Sequence, residues 1–291
     1  MDFKELGKTG LKVSEIGIGT EHLFRQTQKT VDSVIIKAIE NKINYFDILF
    51  SVKHYLEKLV FSLKEYREEL IITGHLGTIE IEGKPKKNRS FQKCRKAFLK
   101  MLSILNTDHV DILNIQAVGK IELEKIMKPK GLFDLASSFQ NEGKANFLGL
   151  STHDISVAKQ AIKSGRFDMI MFPLNIANHQ LPGRDELLSE CSKSKIGLIA
   201  IKPFAAGKIL MVNRTVNIAK YQTGGLSLKM KIPKDITPCK CISYLKSLPG
   251  ISTIIMGVKN SKELIENLEY SEKQEYELDY SPYLDIFNHR I

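Results

Sequence analysis

Short runs of apolar and β-branched residues alternate along this chain with longer stretches whose apolar residues recur every three or four positions. Eight short runs predict strands: Glu15–Gly19, Tyr45–Asp47, Leu70–Thr73, Val110–Ile115, Phe147–Ser151, Met169–Pro173, Gly197–Ile201 and Thr253–Met256. Between them the spacing turns helical, as in Val31, Val34, Ile35, Ala38 and Ile39, or in Leu264, Ile265 and Leu268. Strand followed by helix, repeated in this way, predicts a parallel sheet, and eight such units close most simply into an α/β fold of the (β/α)8 TIM barrel type. Ahead of the first strand, FKELGKTGLKV at 3–13 predicts a β-hairpin turning at GKTG. The stretch 208–238 has no clear period and predicts a long loop after the seventh strand, where barrel enzymes often cover a ligand. No linker or low-complexity segment interrupts the pattern, so a single domain over 1–291 is expected.

Composition narrows the class. A barrel of this kind takes roughly 250 residues, and 291 residues with 43% hydrophobic content leave room for a full core and a few long loops. No run approaches the ~18 apolar residues of a membrane span, and the first residues, MDFKELGKTG, lack the apolar run of a secretory signal, so a cytoplasmic protein without a membrane partner is expected. Cys94, Cys191, Cys239 and Cys241 are too few and too scattered for a disulfide framework. Cys239-Lys240-Cys241 has no second pair to complete a metal site, so buried, inert thiols and no metal are expected. The net charge of +10 comes from lysines spread along helical segments beside glutamates. Even the densest cluster, GKPKKNR at 83–89 in an expected loop, has no interleaved aromatic residue, so nucleic acid is not the expected partner. An anionic small-molecule substrate or a cofactor phosphate is a better use of the charge, and oligomeric state is silent in the sequence.

Five segments in fixed order then carry a resemblance: LGKTGLKVSEIGIGT at 6–20, NYFD at 44–47, VDILNIQ at 110–116, GLSTHD at 149–154 and MGVKNSKELIENL at 256–268. Together they resemble the aldo-keto reductase superfamily from end to end. The resemblance implies a nicotinamide-dependent carbonyl reductase with its site at the C-terminal ends of the strands and its hairpin across the barrel bottom. It also implies four chemical positions: an aspartate, a proton-donating tyrosine, a lysine and a histidine. Here the aspartate is Asp47. Anchoring the next helix on LVFSLKE places Val52 at the tyrosine position, with Tyr55 three residues later, able to reach the site only through a rearranged loop. TGHLG at 73–77 puts His75 at the lysine position, and IQ puts Gln116 at that of the histidine. Neither valine nor glutamine is a general acid, so His75 and Tyr55 remain as proton carriers, and a histidine beside Asp47 could serve near neutrality. A polar lining of Asp47, His75 and Gln116 without chemistry stays open as the alternative. GHLG is also similar to a divergent subgroup whose members often continue into an iron–sulfur segment, but no such cysteines follow here and no cluster is expected.

The cofactor positions implied by the resemblance are better kept. Gly19 and Thr20 close the first motif, while Ser151 and Thr152 match a pair that holds the nicotinamide carboxamide. His153 either neighbours that group or begins the next helix on the surface, THDIS having the look of a capped helix start. IKPFAAGKIL at 201–210 matches the phosphate-binding segment, with Lys202, Pro203, Phe204, Gly207 and Lys208. Small residues there let the backbone approach a pyrophosphate, although Ile201 stands where many members stack an aromatic ring. Gly257 precedes a helix start whose free N–H groups and dipole favour a phosphate. There Lys259, Asn260, Ser261 and Lys262 match residues that hold the adenosine 2′-phosphate, and Glu266 and Asn267 match residues near the adenine. Read without a ligand, the same segment is a helix with Ser261 as its N-cap. Lys259 favours NADP(H) over NAD(H). Three functions compete: an NADP(H)-dependent oxidoreductase with a reassigned acid, an isomerase or lyase on the same barrel, and a non-catalytic nucleotide-binding relative.

Overall fold

A computed structural model describes residues 1–219 and 227–288. Eight parallel strands close into a barrel in sequence order. They are β1 (Ile16–Gly19), β2 (Tyr45–Ile48), β3 (Ile71–Leu76), β4 (Val110–Ile115), β5 (Ala145–Ser151), β6 (Met169–Pro173), β7 (Gly197–Ile201) and β8 (Ile251–Gly257). All eight expected strands are present. β3 runs three residues further than the expected Leu70–Thr73, so His75 lies within the strand rather than in a loop.

Helices fill the crossovers: α1 (Gln28–Glu40), α2 (Lys53–Leu63), α3 (Phe91–Leu105), α4 (Lys120–Met127), α5 (Leu132–Asn141), α6 (Ile155–Ser164), α7 (Arg184–Lys193), α8 (Pro238–Ser247), α9 (Ser261–Leu268) and the C-terminal α10 (Ser281–Ile286). Local chemistry starts several of them. Thr27, Ser90, Asp154, Thr237 and Asn260 each accept a first-turn backbone N–H through the side chain, and Pro238 follows Thr237 where a missing N–H costs nothing. Asn260 thus caps α9, one residue ahead of the expected Ser261. Among the described residues no helix is long and apolar enough to cross a membrane.

Alternation along each strand sorts the side chains. Phe46, Ile72, Leu113 and Leu150 turn outward into the large cluster beneath the helices. Each such fully buried apolar side chain contributes about 1.5–3 kcal/mol relative to exposure. Tyr45, Ile71, Ile112, Met171 and Ile199 turn inward and fill the lumen together with Leu6 and Val13 of the hairpin. That hairpin pairs Phe3–Glu5 with Lys12–Ser14 and plugs the bottom, as the sequence suggested. Because the inward set recurs every second residue, Asp47, His75, Asn114 and Ser151 must also face the lumen, nearer the top than the apolar set.

The hairpin is docked through glycine. Gly7 has φ +57°, and a Cβ there would lie 2.3 Å from the backbone nitrogen of Gly197 and 2.6 Å from the carbonyl oxygen of Lys195. Gly10 has φ +75° but open space around it. Gly7→Ala should therefore cost roughly 3 kcal/mol from strain plus overpacking against backbone, whereas Gly10→Ala should cost about 1 kcal/mol from backbone strain alone. Urea unfolding of the two variants checks this; equal losses would contradict a docked plug.

Candidate active site

At the top of the lumen, His75 Nε2 lies 2.6 Å from Asp47 Oδ1. The imidazole side chain is 1% exposed and the carboxylate 10%, so the pair is reached from the mouth through Asp47. Strand register brings them there: Gly19 pairs with Asp47 across β1 and β2, and His75 pairs with Asn114 across β3 and β4. Gln116 continues the lumen face of β4 and donates its backbone N–H to Leu76 O at 2.9 Å. Its side-chain oxygen is buried and meets no donor among the described residues. Asn114, a polar residue inside an apolar strand that no motif marks, is wholly buried with its amide nitrogen 3.4 Å from His75 Nδ1.

Tyr55 is fully buried on α2 and its hydroxyl bonds Thr20 Oγ1. Thr20 Oγ1 in turn donates to the main-chain oxygen of Asp47 at 2.7 Å. A threonine hydroxyl has one proton, so Tyr55 must be the donor to Thr20. Burial holds the Tyr55 phenol far above its ordinary range. Its proton is therefore committed to a strut that braces the backbone of Asp47, and Phe24 and Phe50 pack on its ring with centroids at 5.6 and 6.0 Å. Val52, at the N-cap of α2, is fully buried.

At the end of β5, Ser151 Oγ accepts from Ala117 N at 2.8 Å, leaving its own proton available. Thr152 is turned away from the lumen, its hydroxyl donating to Val118 O at 2.7 Å and accepting from Asp154 N at 3.0 Å. That alternation, invisible in the motif GLSTHD, takes the Thr152 hydroxyl out of the lumen. His153 sits ahead of the cap Asp154 and is exposed as a residue, as the surface reading of THDIS expected, but its imidazole is set down beside Lys202. Its Nε2 lies 3.2 Å from Lys202 Nζ, and partial burial together with that ammonium pushes the imidazole down to about 4. Burial likewise lowers the Lys202 amine.

Beyond β7, Lys202, Ala205, Ala206 and Gly207 all have positive φ, of 55°, 47°, 59° and 80°. Non-glycine residues in this region cost energy, so the loop is held in a specific strained shape. Pro203, Phe204 and Ala205 are buried supports, while Ala206 and Gly207 expose their backbone. Lys208 is drawn to its own loop, donating to Asn217 O at 2.5 Å. At and just before α9, Lys259, Asn260, Lys262 and Glu266 are exposed and Asn267 is buried. Asn260 caps the first turn, Glu263 reaches back to the N–H of Lys259 at 2.9 Å, and Ser261 accepts from Ser33 Oγ at 2.9 Å. Lys262 and Glu266 form a loose surface pair at 3.7 Å. Gly257 packs against His22, whose ring would meet a Cβ there at 2.2 Å.

Comparison with known proteins fits this arrangement. The sequence profile described as the Aldo/keto reductase family matches residues 15–286. The chain belongs to the aldo/keto reductase family. It is 24% identical over 285 residues to an uncharacterized oxidoreductase, YqkF, of Bacillus subtilis, covering 91% of this chain and 90% of the relative. It is 22% identical over 286 residues to L-galactose dehydrogenase of Arabidopsis thaliana, covering 92% and 87%. The aldo-keto reductase AKR11C1 of Bacillus halodurans, solved in its holo form, shares the fold with a TM-score of 0.76 at 17% identity, over 99% of this chain and 95% of that one.

This aldo/keto reductase walls its mouth with two β-ribbons where the sequence predicts loops. Residues 78–90 contain a hairpin, Thr78–Ile81 paired with Lys84–Lys87, whose turn residues Glu82 and Gly83 both have positive φ, of 50° and 69°, as a tight two-residue turn demands. Within 208–238, Thr215–Ala219 pairs with Ser227–Lys231 as a second ribbon, and residues 220–226 of that stretch lie outside the described residues. Cys94, Cys191, Cys239 and Cys241 are free and buried, and burial pushes the Cys241 thiol up to about 12.

The Thr78–Lys87 hairpin is clamped to the first turn of α4 and the loop before it. Lys87 Nζ lies 2.8 Å from Glu122 Oε2 and Arg89 Nε 3.1 Å from Glu122 Oε1, while Arg89 Nη2 also donates to Ala117 O at 3.0 Å. Burial alone would raise the Glu122 carboxyl, but the hydrogen bonds from Arg89 and Lys87 outweigh it and hold it near 2, against an ordinary 4.5. A carboxyl whose folded pKa is depressed adds stability that is complete above the unfolded pKa and is lost as pH falls through the folded one. Glu122→Gln should therefore lower Tm by roughly 2–4 °C at neutral pH, the equivalent of about 1 kcal/mol. The deficit should shrink as pH drops from 4.5 toward 2. A deficit independent of pH in thermal melts would refute the clamp.

Proposed function

We propose that this chain is an NADP(H)-dependent oxidoreductase in which the Asp47–His75 pair, rather than a tyrosine, handles the proton that accompanies hydride transfer. The observation that carries the reading is the 2.6 Å contact between a buried imidazole and a carboxylate at the barrel mouth. Membership of the family and relatives named as an oxidoreductase and a dehydrogenase support the reaction class. Commitment of the Tyr55 proton to Thr20 supports moving the acid away from tyrosine.

The residues present fit a dinucleotide at the positions that the family resemblance implies. Ala206 and Gly207 offer exposed backbone, and the Cβ position of Gly207 opens on free space. Lys259 stands exposed at the start of α9, where a charged side chain and the helix N-terminus act together on a phosphate. Ser151 can donate to the carboxamide oxygen, whereas Thr152 and Lys208 are otherwise engaged. Bound there, the reduced nicotinamide supplies the hydride to a small carbonyl compound. The chain's part is to orient that compound and exclude water. His75 Nε2–H donates to Asp47 Oδ1 and holds the carboxyl toward the mouth. In the reductive direction Asp47 enters as the carboxylic acid and gives its proton to the developing alkoxide, leaving neutral His75 beside the Asp47 carboxylate. In the reverse direction that carboxylate accepts the proton from the alcohol.

Two measurements test this. Fluorescence titration should show NADPH binding, and Lys259→Ala should weaken NADPH by roughly 1.5–3 kcal/mol while sparing NADH, because only NADPH carries the extra phosphate. Equal weakening would reject the 2′-phosphate role, and no binding of either nucleotide by the parent would remove the oxidoreductase reading. Separately, His75→Gln should lower turnover in an aldehyde and ketone screen by roughly 10²–10⁴-fold with nucleotide affinity nearly intact. Full activity in that variant would eliminate the pair as the proton source.

A further inference from the structure

Behind the pair, the lumen wall holds a polar residue that hydride transfer does not itself require. Asn114 is wholly buried on β4 between the apolar Leu113 and Ile115. Its amide nitrogen lies 3.0 Å from Met171 Sδ on β6 and 3.4 Å from His75 Nδ1 on β3. Its amide oxygen finds no donor among the described residues. A buried acceptor without a donor destabilises the fold, and an apolar side chain of similar size would avoid that cost.

The partners decide which way the amide faces. The two ends of an asparagine amide look alike in shape, so orientation follows from hydrogen-bond logic. A thioether sulfur can only accept. Turned over, Asn114 would set its carbonyl oxygen against the lone pairs of Met171. Met171 therefore draws the NH2 end toward itself, and the second N–H of the same group meets His75 Nδ1. A ring nitrogen that accepts carries no proton. The proton of the neutral ring then sits on Nε2, the atom 2.6 Å from Asp47 Oδ1. Gly149 leaves space for this arrangement, since a Cβ there would lie 2.9 Å from Asn114 Oδ1 and 2.1 Å from Met169 Sδ.

We propose that Asn114 is a positioning residue: held by Met171, it donates to Nδ1 and so fixes the ring of His75 with its proton directed at Asp47. The chain Met171, Asn114, His75, Asp47 crosses the lumen through β6, β4, β3 and β2. Its catalytic meaning rests on the proton-handling reading above, but its geometry does not.

The test is 15N NMR of nucleotide-free protein labelled at its 7 histidines, with His75 assigned by its absence from His75→Gln. The wild type at about pH 8, above the ordinary imidazole range, should show His75 Nε2 as a protonated nitrogen and Nδ1 as an unprotonated, hydrogen-bonded one. In Asn114→Leu, Nδ1 should move to the position of an unbonded nitrogen, while the thermal midpoint stays level or rises because the orphaned oxygen has gone. Met171→Leu should move Nδ1 part of the way, as the amide becomes free to turn. A protonated Nδ1 in the wild type, or an unmoved Nδ1 in Asn114→Leu, would overturn the proposal; so would a thermal midpoint that falls in Asn114→Leu, since that is the mark of a merely structural amide. If instead His75→Gln kept full turnover, the proton-handling reading would fail while these resonances stayed as described.

Discussion

A closed barrel of parallel strands gives each strand residue two destinations, the lumen or the helix layer, and alternation assigns them along each regular strand once closure is set, broken here where the register shifts between β7 and β8. That constraint makes Asp47, His75, Asn114 and Ser151 neighbours although they come from four strands spread over a hundred residues of sequence. It also sends Thr152, adjacent to Ser151, out of the site. A shift of one residue in any of these strands would exchange the polar mouth for the apolar underside of the helices, so the hydrophobic sorting that stabilises the fold is the same event that assembles the chemistry.

Much of the fold was legible for that reason. The eight apolar runs, the intervening helical spacing and the GKTG turn are local patterns with strong physical causes, and each reappears in the structure. The two mouth ribbons were harder to read because their alternation is short and diluted by lysine. Thr215–Ala219 buries Val216 and Ile218, and its partner Ser227–Lys231 buries Met230, yet neither run stands out from a loop by composition. Glu82-Gly83 between Ile81 and Lys84 was a readable turn signal, but the charge of GKPKKNR masked it.

The site was legible as a list of residues and not as a set of partnerships. Asp47 and His75 were marked by their positions in motifs, and the structure joins them. Tyr55 was marked as a proton carrier, whereas its hydroxyl is one link in a buried strut through Thr20 to the backbone of Asp47. Asn114 went unremarked because VDILNIQ reads as a strand with one polar interruption; the signal was its parity with Gln116, which only matters once the lumen face is known. Helix α9 shows the same limit on a smaller scale, since Asn260 and Ser261 are both competent caps by type, and backbone dihedrals decide between them.

The four cysteines sit on three helices around the barrel, Cys94 on α3, Cys191 on α7 and Cys239 with Cys241 on α8, all buried and unbridged. A thiol shut beneath a helix reacts with an alkylating reagent only when that helix lifts from the sheet, and a protonated one waits longer still. The protein therefore carries intrinsic clocks for local opening at three points on its circumference. Their relative rates of modification would rank the stability of the surrounding helical sectors without any introduced label.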